Sequence, residues 1–241
     1  MDWDAFLEAR KDTPRQGPGS GADVSWAVAL ADIPENARIC DAGCGPGDDT
    51  LALRALRPGA SVLGIDGVEQ FVEQARARAG DTPGVRFELG DMAQLPRHPM
   101  APFDMVWCAG ALYFLGLDVG VRTFADALVP GGVLAFSEPA FFTDTPTEAA
   151  RTFWEGYPTR AEEDVAQAVS DAGLTVLGQR RVLDAAWEAY YTPLEMRAKA
   201  LRDAATPAVR AACDQAIEEA RQWRALRDQT GYTLIVARKP G

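Results

Sequence analysis

The 241-residue sequence contains little histidine and little cysteine. Its single histidine is His98, and its four cysteines are scattered at positions Cys40, Cys44, Cys108 and Cys213. One imidazole excludes a histidine-rich metal site, and no pair of cysteines has zinc-finger spacing, so we predict that the protein holds no metal. Four cysteines in a chain of this length also exclude a disulfide-stapled scaffold.

Long apolar runs and long basic runs are also absent. No stretch approaches the ~20 apolar residues of a membrane span, and the acidic N-terminus, residues 1–10, does not resemble a secretion signal. We therefore predict a cytoplasmic protein without a membrane partner. The net charge is -11 and no run of Lys and Arg is longer than the pair Arg180–Arg181, so a nucleic-acid partner is not expected.

Strand-like apolar runs alternate with helical segments through the middle of the chain, which predicts a parallel sheet with crossover helices. The predicted strands are 38–41, 61–66, 85–89, 103–108, 133–137, 174–182 and 232–237. The predicted crossover helices include 48–56, 68–79 and 119–128.

Two additions surround this core within a single predicted domain, 1–241. Residues 1–36 are predicted to form an N-terminal helical cap on the core, 37–138. Helix-start signals at Thr192-Pro193 and Thr206-Pro207 predict a helical insertion over 192–229, between the sixth and the last strand.

The insertion is preceded by Tyr190 and Tyr191, and we predict that it forms a lid together with residues 3–20. The alternative is a helical hairpin that stabilises the sheet edge or a contact in a homodimer. The two readings differ in whether Tyr190 and Tyr191 reach a bound acceptor.

The most informative motif is the turn Asp41–Gly47, which follows the first strand and precedes a helix. Glycines at 43, 45 and 47 allow close approach of a ligand, and the helix start offers free N–H groups. In a dinucleotide motif the third glycine would fall one residue later. The carboxylates of Asp41, Asp48 and Asp49 would also repel a pyrophosphate, so the turn favours a ligand with positive charge.

Four motifs in order resemble the class I S-adenosylmethionine-dependent methyltransferases, closest to the small-molecule branch that includes ubiquinone-biosynthesis-like enzymes. They are the Asp41–Gly47 turn, Asp66 at the end of the second strand, the pair Asp91–Met92 after the third, and the turn Leu128–Leu134 before the fifth. The resemblance covers residues 37–138.

This resemblance implies a Rossmann-like, doubly wound seven-stranded α/β sheet whose last strand runs antiparallel. It also implies S-adenosyl-L-methionine as cofactor and methyl transfer to a small organic acceptor. The cofactor-binding residues implied are Asp41, Gly43, Cys44, Gly45, Gly47, Asp66, Gly67, Asp91, Met92 and Ala109, with Asp66 at the ribose and Asp91–Met92 at the adenine.

Methyl transfer needs mainly alignment of the reacting atoms, so no catalytic residue is obligatory. The acceptor is expected near the end of the fourth strand, at 108–111, where small residues leave room. Tyr113 and Glu138 are candidate catalytic residues because each is predicted just past a strand end, and Tyr190 and Tyr191 are further candidates. His98, between two prolines, is predicted to lie in an exposed loop.

Other functions are compatible with the same motifs. The chain is alternatively a non-catalytic module that binds S-adenosylmethionine for regulation, because alignment catalysis leaves no signature residue. It is also compatible with another enzyme on this fold, an aminopropyl transferase or a nicotinamide oxidoreductase, although the early third glycine and Asp41 count against the latter.

Overall fold

The computed structural model describes residues 2–11 and 13–241, so Met1 and Asp12 of the predicted N-terminal cap lie outside the described residues. The strands are β1 (Arg38–Ala42), β2 (Ser61–Asp66), β3 (Val85–Leu89), β4 (Phe103–Cys108), β5 (Leu128–Phe141), β6 (Arg160–Ala161), β7 (Thr175–Arg181) and β8 (Thr230–Arg238). The α-helices are α1 (Trp3–Ala9), α2 (Gly21–Ala31), α3 (Asp48–Leu56), α4 (Glu69–Ala79), α5 (Leu117–Asp126), α6 (Glu148–Thr152), α7 (Glu162–Asp171), α8 (Asp184–Arg202) and α9 (Pro207–Leu226). Short 3-10 helices cover Met92–Arg97 and Leu112–Phe114.

The strands form one sheet in the order β3-β2-β1-β4-β5-β8-β7, with the two-residue β6 added beside β5. Strand β8 runs antiparallel to both of its neighbours, and the other pairs are parallel. The predicted Rossmann-like sheet with an antiparallel last strand is thus confirmed. From β1 the chain adds β2 and β3 on one side of the sheet, and it then crosses back to add β4 and β5 on the other side. This change of direction opens a crevice at the carboxyl ends of β1 and β4.

Helices cover both faces of the sheet, because alternate strand residues are apolar on both sides. One core packs α2, α3, α8 and α9 against side chains such as Ile39, Trp107 and Val236. The other packs α5 and α7 against side chains such as Val106 and Phe136. Burial on both faces holds the strand ends, and therefore the crevice, in fixed positions.

The predicted second, third and fourth strands match the structure residue for residue, whereas the fifth is longer than predicted. Strand β5 continues to Phe141 because it pairs with β8 along its whole length, including Phe141 with Thr230. The expectation that Glu138 lies past a strand end is therefore wrong. Glu138 lies inside β5, opposite Thr233, and is buried.

The predicted start of the helical insertion at Thr192 is also wrong. Helix α8 begins at Asp184 and continues through Pro193. Trp187, Tyr191, Leu194 and Ala198 form a continuous buried face, and their burial outweighs the cost of a proline inside the helix.

The second start signal is confirmed. Thr206 is the N-cap of α9, and its hydroxyl accepts from the Val209 N–H at 3.4 Å, with Pro207 at the first helical position. Within the described residues, no helix is both long enough and apolar enough to span a membrane.

Candidate active site

A cavity of about 700 Å³ lies at the carboxyl ends of β1 to β4, a volume typical of small-molecule sites. Of the ten residues predicted to bind a cofactor, nine line it: Asp41, Gly43, Cys44, Gly45, Asp66, Gly67, Asp91, Met92 and Ala109. The tenth, Gly47, caps α3 directly behind the lining. The structure thus brings residues from four separate strand ends around one space.

The three glycines of the turn serve different purposes. All have positive φ, at 75°, 51° and 87° for Gly43, Gly45 and Gly47. A Cβ on Gly43 would lie 2.4 Å from the Cβ of Ala111, and one on Gly47 would lie 2.8 Å from the Phe87 ring. A Cβ on Gly45 would meet only Gln16, at 3.8 Å, so this glycine leaves space on the ligand side.

Asp66 shapes the turn as well as lining the cavity. Its Oδ2 accepts from the Gly45 N–H at 2.8 Å, and its Oδ1 accepts from the Val68 N–H at 2.9 Å. Burial raises the pKa of Asp66, and these backbone donors oppose the rise. Because each carboxylate oxygen has two lone pairs, both oxygens can still accept from a ligand hydroxyl.

Asp41 and Asp49 are buried carboxylates beneath the turn. Asp41 accepts from the Thr50 hydroxyl at 2.6 Å, and Asp49 accepts from the Trp107 indole N–H at 3.1 Å. Burial and the neighbouring charge of Asp49 raise the pKa of Asp41. Arg15 from the N-terminal segment pairs with Asp49 and, at 2.8 Å, with Asp48, and so offsets part of this negative charge.

Asp91 and Met92 follow β3 and line the cavity near the start of a 3-10 helix. The Asp91 carboxylate caps that helix by accepting from the Ala93 N–H at 2.8 Å. Gly67 follows β2, and Ala109 follows β4 with Gly110 and Ala111, so small residues line this side of the cavity.

The N-terminal segment contributes lining residues that the motif comparison did not assign. They are Trp3 and Phe6 of α1 together with Pro14, Arg15, Gln16, Gly17 and Pro18. Arg78 ties this segment to the glycine turn by donating to the carbonyls of Pro14 and Pro46, both at 3.0 Å. The sequence predicted a cap over 1–36, but the place of residues 14–18 over the turn is a tertiary feature.

Among the candidate catalytic residues, Tyr113 lines the cavity and Glu138 lies in a second layer. Tyr113 contacts Tyr157 with ring centroids 6.0 Å apart, and the Tyr157 hydroxyl donates to Glu138 Oε1. Glu138 Oε2 is buried without a hydrogen-bond partner among the described residues. Burial raises the pKa of Glu138 to about 7 and that of Tyr113 to about 12.

Tyr190 and Tyr191 are buried in the packing of α8 and do not line the cavity. The Tyr191 hydroxyl donates to Glu219 Oε1 at 2.9 Å, and Arg10 at the end of α1 donates to Glu219 Oε2 at 3.2 Å. The expectation that Tyr190 and Tyr191 reach the acceptor space is therefore not met, whereas Trp3, Phe6 and residues 14–18 of the N-terminal segment line the cavity. Within the described part of the chain, α8 and α9 support this segment from behind.

His98 lies outside the cavity lining and is less exposed than predicted, with 13% of its side chain accessible. Its Nε2 lies 3.2 Å from Glu88 Oε2, and its Nδ1 accepts from the Met100 N–H at 3.1 Å. Within residues 2–11 and 13–241, no cluster of three His, Cys, Asp or Glu side chains is placed to hold a metal ion.

Comparison with known proteins agrees with this site. A family profile described as a methyltransferase domain matches residues 39–132. A trans-aconitate 2-methyltransferase of Variovorax paradoxus is 37% identical over 58% of this chain and 51% of its own length. A demethylmenaquinone methyltransferase of Deinococcus radiodurans is 37% identical over 56% of this chain and 59% of its own length. The chain thus spans about half of the length of these relatives.

Solved structures share the fold over nearly the whole chain. A methyltransferase of Geobacter sulfurreducens in complex with S-adenosyl-L-homocysteine superposes with a TM-score of 0.83 at 20% identity, covering 97% of both chains. The cyclase SpnF superposes with a TM-score of 0.76, also at 20% identity, covering 98% of this chain and 92% of its own. The matching domain, the four motifs and the fold thus make this chain similar to the class I S-adenosylmethionine-dependent methyltransferases over the cofactor-binding core.

Proposed function

We propose that this protein transfers the methyl group of S-adenosylmethionine to a small organic acceptor. The observation that carries the proposal is the cavity at the carboxyl ends of β1 to β4, which is lined by Asp41, Gly45, Asp66 and Asp91 together. These residues come from three separate motifs, yet they surround one space large enough for a nucleoside-sized ligand.

The lining fits this cofactor chemically. Asp66 has free lone pairs on both oxygens for the two ribose hydroxyls, and Gly45 leaves room for close approach of the amino-acid portion. Asp91 and Met92 are proposed to contact the adenine, and the carboxylates beneath the turn complement a sulfonium and an ammonium. Gly43, Cys44, Gly67 and Ala109 line the same space and would contribute backbone contacts.

The residues of this chain are proposed to act mainly by alignment. When bound, S-adenosylmethionine supplies an electrophilic methyl group, which an acceptor lone pair attacks in line with the breaking carbon–sulfur bond. Ala109, Gly110 and Ala111 leave space for that approach. If the acceptor must lose a proton, the Glu138 carboxylate is the proposed group to receive it, and the hydroxyls of Tyr113 and Tyr157, which stay protonated, are the proposed relay.

The relatives' names point to small organic acceptors, trans-aconitate and demethylmenaquinone, and this supports the same class here. The cyclase SpnF shares the fold, so the fold alone does not carry the activity. A homodimer and a cytoplasmic location stay predictions from the sequence.

Two measurements on the full chain test the proposal. Titration calorimetry with S-adenosylmethionine is expected to give micromolar affinity, about -8 kcal/mol, whereas NADH should give no heat. Incubation with methyl-labelled S-adenosylmethionine and a metabolite extract should then yield a labelled small molecule by mass spectrometry. Binding without any labelled product would favour the regulatory module, and NADH binding alone would favour an oxidoreductase.

A further inference from the structure

The charges of the cavity lining are unbalanced. Five carboxylates line it, which we call the acidic set: Asp41, Asp48, Asp49, Asp66 and Asp91. Arg15 is the one Lys or Arg in the lining among the described residues, and it already pairs with Asp48 and Asp49. Burial raises the pKa of Asp41 to about 8, so Asp41 adds little negative charge at pH 7. The other four carboxylates still outnumber the charge of Arg15 and the one net positive charge of the cofactor, so the lining stays negative when the cofactor is bound.

Two aromatic pairs face the same cavity from different parts of the chain, and we call them the aromatic set. Trp3 and Phe6 of α1 have ring centroids 5.0 Å apart, and Tyr113 and Phe114 after β4 have centroids 4.4 Å apart. Trp3 is 55% exposed and Phe114 is 70% exposed. Large apolar side chains exposed around an opening mark a surface that a ligand covers.

Resting on the methyl transfer proposed above, we infer that the acceptor is an uncharged molecule with a planar aromatic or similarly apolar part, and that carboxylate acceptors are excluded. The aromatic set offers ring faces for stacking. An anionic acceptor would lose its hydration among these rings, and the one arginine of the described lining, Arg15, is already paired with Asp48 and Asp49 and is not free to replace it.

Two further arginines lie next to lining residues. Arg78 already donates to the carbonyls of Pro14 and Pro46, so Arg10 is the alternative counter-ion to be tested. It is buried behind the lining, donates to Glu219, and lies 3.9 Å above the Phe6 ring. Its Nε and Nη1 have no hydrogen-bond partner among the described residues, so it enters the test below as a variant. Phe6 lines the cavity, and Arg10 is not part of the lining.

The test compares two probes with the same ring system and different charge. The full chain is loaded with S-adenosylhomocysteine and titrated by calorimetry at pH 7 with 2-naphthol, which is neutral, or with 2-naphthoate, which is anionic. We expect 2-naphthoate to bind at least tenfold more weakly than 2-naphthol. Equal or tighter binding of 2-naphthoate, or no binding of 2-naphthol, would overturn the inference.

Variants locate the binding and keep the test independent of folding. Trp3→Ala and Phe114→Ala should each weaken 2-naphthol binding at least fivefold, whereas Met196→Ala, equally exposed at 68% but outside the lining, should have no effect. Phe114→Arg should narrow the gap between the probes by strengthening 2-naphthoate binding. An equal effect of Met196→Ala would mean non-specific adsorption and contradict the inference.

Further outcomes of the calorimetry distinguish a wrong acceptor class from a wrong proposed function. If 2-naphthoate binds tightly and Arg10→Met abolishes that binding, Arg10 is the counter-ion and the inference is wrong. If S-adenosylhomocysteine itself gives no heat with the unvaried protein, the proposed function fails first. Cofactor binding with a preference for 2-naphthoate would overturn the acceptor class alone.

Discussion

The acidic set and the aromatic set line one cavity but are built in different ways. The acidic set follows β1, β2 and β3, and most of its carboxylates are fixed by hydrogen bonds, as Asp66 is by the N–H groups of Gly45 and Val68. The aromatic set lies on the short helix α1 and on a 3-10 turn, and its outer rings, Trp3 and Phe114, are exposed. The proposed cofactor side therefore belongs to the sheet, and the proposed acceptor side belongs to additions around it.

This difference indicates which part of the molecule determines acceptor specificity. Carboxylates held by backbone donors keep one geometry, which suits a cofactor that must bind in the same way at every turnover. Rings held by a peripheral helix can be replaced or moved without disturbing the sheet. The following variants separate the two sets, and the first acts on the turn beneath the acidic set.

Gly43→Ala should abolish S-adenosylhomocysteine binding, more than a hundredfold by calorimetry. The added Cβ would meet Ala111 at 2.4 Å, at a φ of +75° that alanine disfavours. Gly131→Ala is the control, because its φ is +79° and nothing lies within 4 Å of its Cβ. Gly131→Ala should lose about 1 kcal/mol of stability and keep its affinity for S-adenosylhomocysteine. If Gly43→Ala still bound S-adenosylhomocysteine, the close packing of Gly43 on Ala111 would not be required for the binding turn.

Glu138→Gln should change the dependence of stability on pH. The pKa of Glu138 rises from 4.5 to about 7, so its burial makes the folded protein less stable as the pH increases through that range. In the unvaried protein the free energy of unfolding, measured with urea, should fall by up to about 3 kcal/mol between these pH values. In Glu138→Gln this decrease should be absent.

The matched control is Glu218→Gln, because Glu218 is exposed and its pKa is lowered to about 2. Its contribution is lost only as the pH falls below its unfolded value, outside the window of Glu138. Identical stability profiles for Glu138→Gln and the unvaried protein would show that Glu138 is not a perturbed buried acid.

Asp66→Ala should weaken cofactor binding at least tenfold, because charge-assisted hydrogen bonds contribute about 1.5–3 kcal/mol each. Asp104→Ala is the control, since Asp104 also accepts from a backbone N–H, that of Arg38 at 2.7 Å, but lies outside the cavity lining. Unchanged affinity in Asp66→Ala, measured by calorimetry, would remove Asp66 from the ribose site.

Arg10→Met should loosen α1 without affecting the cofactor. It removes the pair with Glu219 that anchors α1 to α9, so amide exchange in α1 should quicken about tenfold. Affinity for S-adenosylhomocysteine should stay within threefold, and 2-naphthol binding should weaken. Lys11→Ala, at the exposed neighbour, should change neither; equal exchange rates in both variants would deny Arg10 its anchoring role.

His98→Ala has the smallest expected effect. Its ring bonds to Glu88 and to the Met100 N–H, away from both sets, so stability should fall by about 1 kcal/mol. Cofactor affinity and turnover should stay within twofold of the unvaried protein. Loss of turnover with intact cofactor binding would mean that a histidine base takes part after all.

The sheet and the carboxylates of the acidic set could be predicted from the sequence. Positive-φ glycines and alternating apolar runs are local requirements, so the glycine turn and the strands β2 to β4 could be assigned from spacing, whereas Asp66 was assigned through the family resemblance. Boundaries that depend on partners could not be. Strand β5 is extended by its pairing with β8. Helix α8 continues through Pro193 because burial of its apolar face stabilises the helix by more than the proline destabilises it.

Which aromatic residues line the cavity depends on tertiary packing and could not be predicted from the sequence. Trp3 and Phe114 are separated by more than a hundred residues, and in the sequence they resemble Tyr190 and Tyr191, which are buried. An apolar ring carries no local mark of whether it faces a ligand or a helix, because both environments favour its burial equally. The packing of α1 on α9 places Trp3 and Phe6 at the cavity, and that contact joins distant parts of the chain.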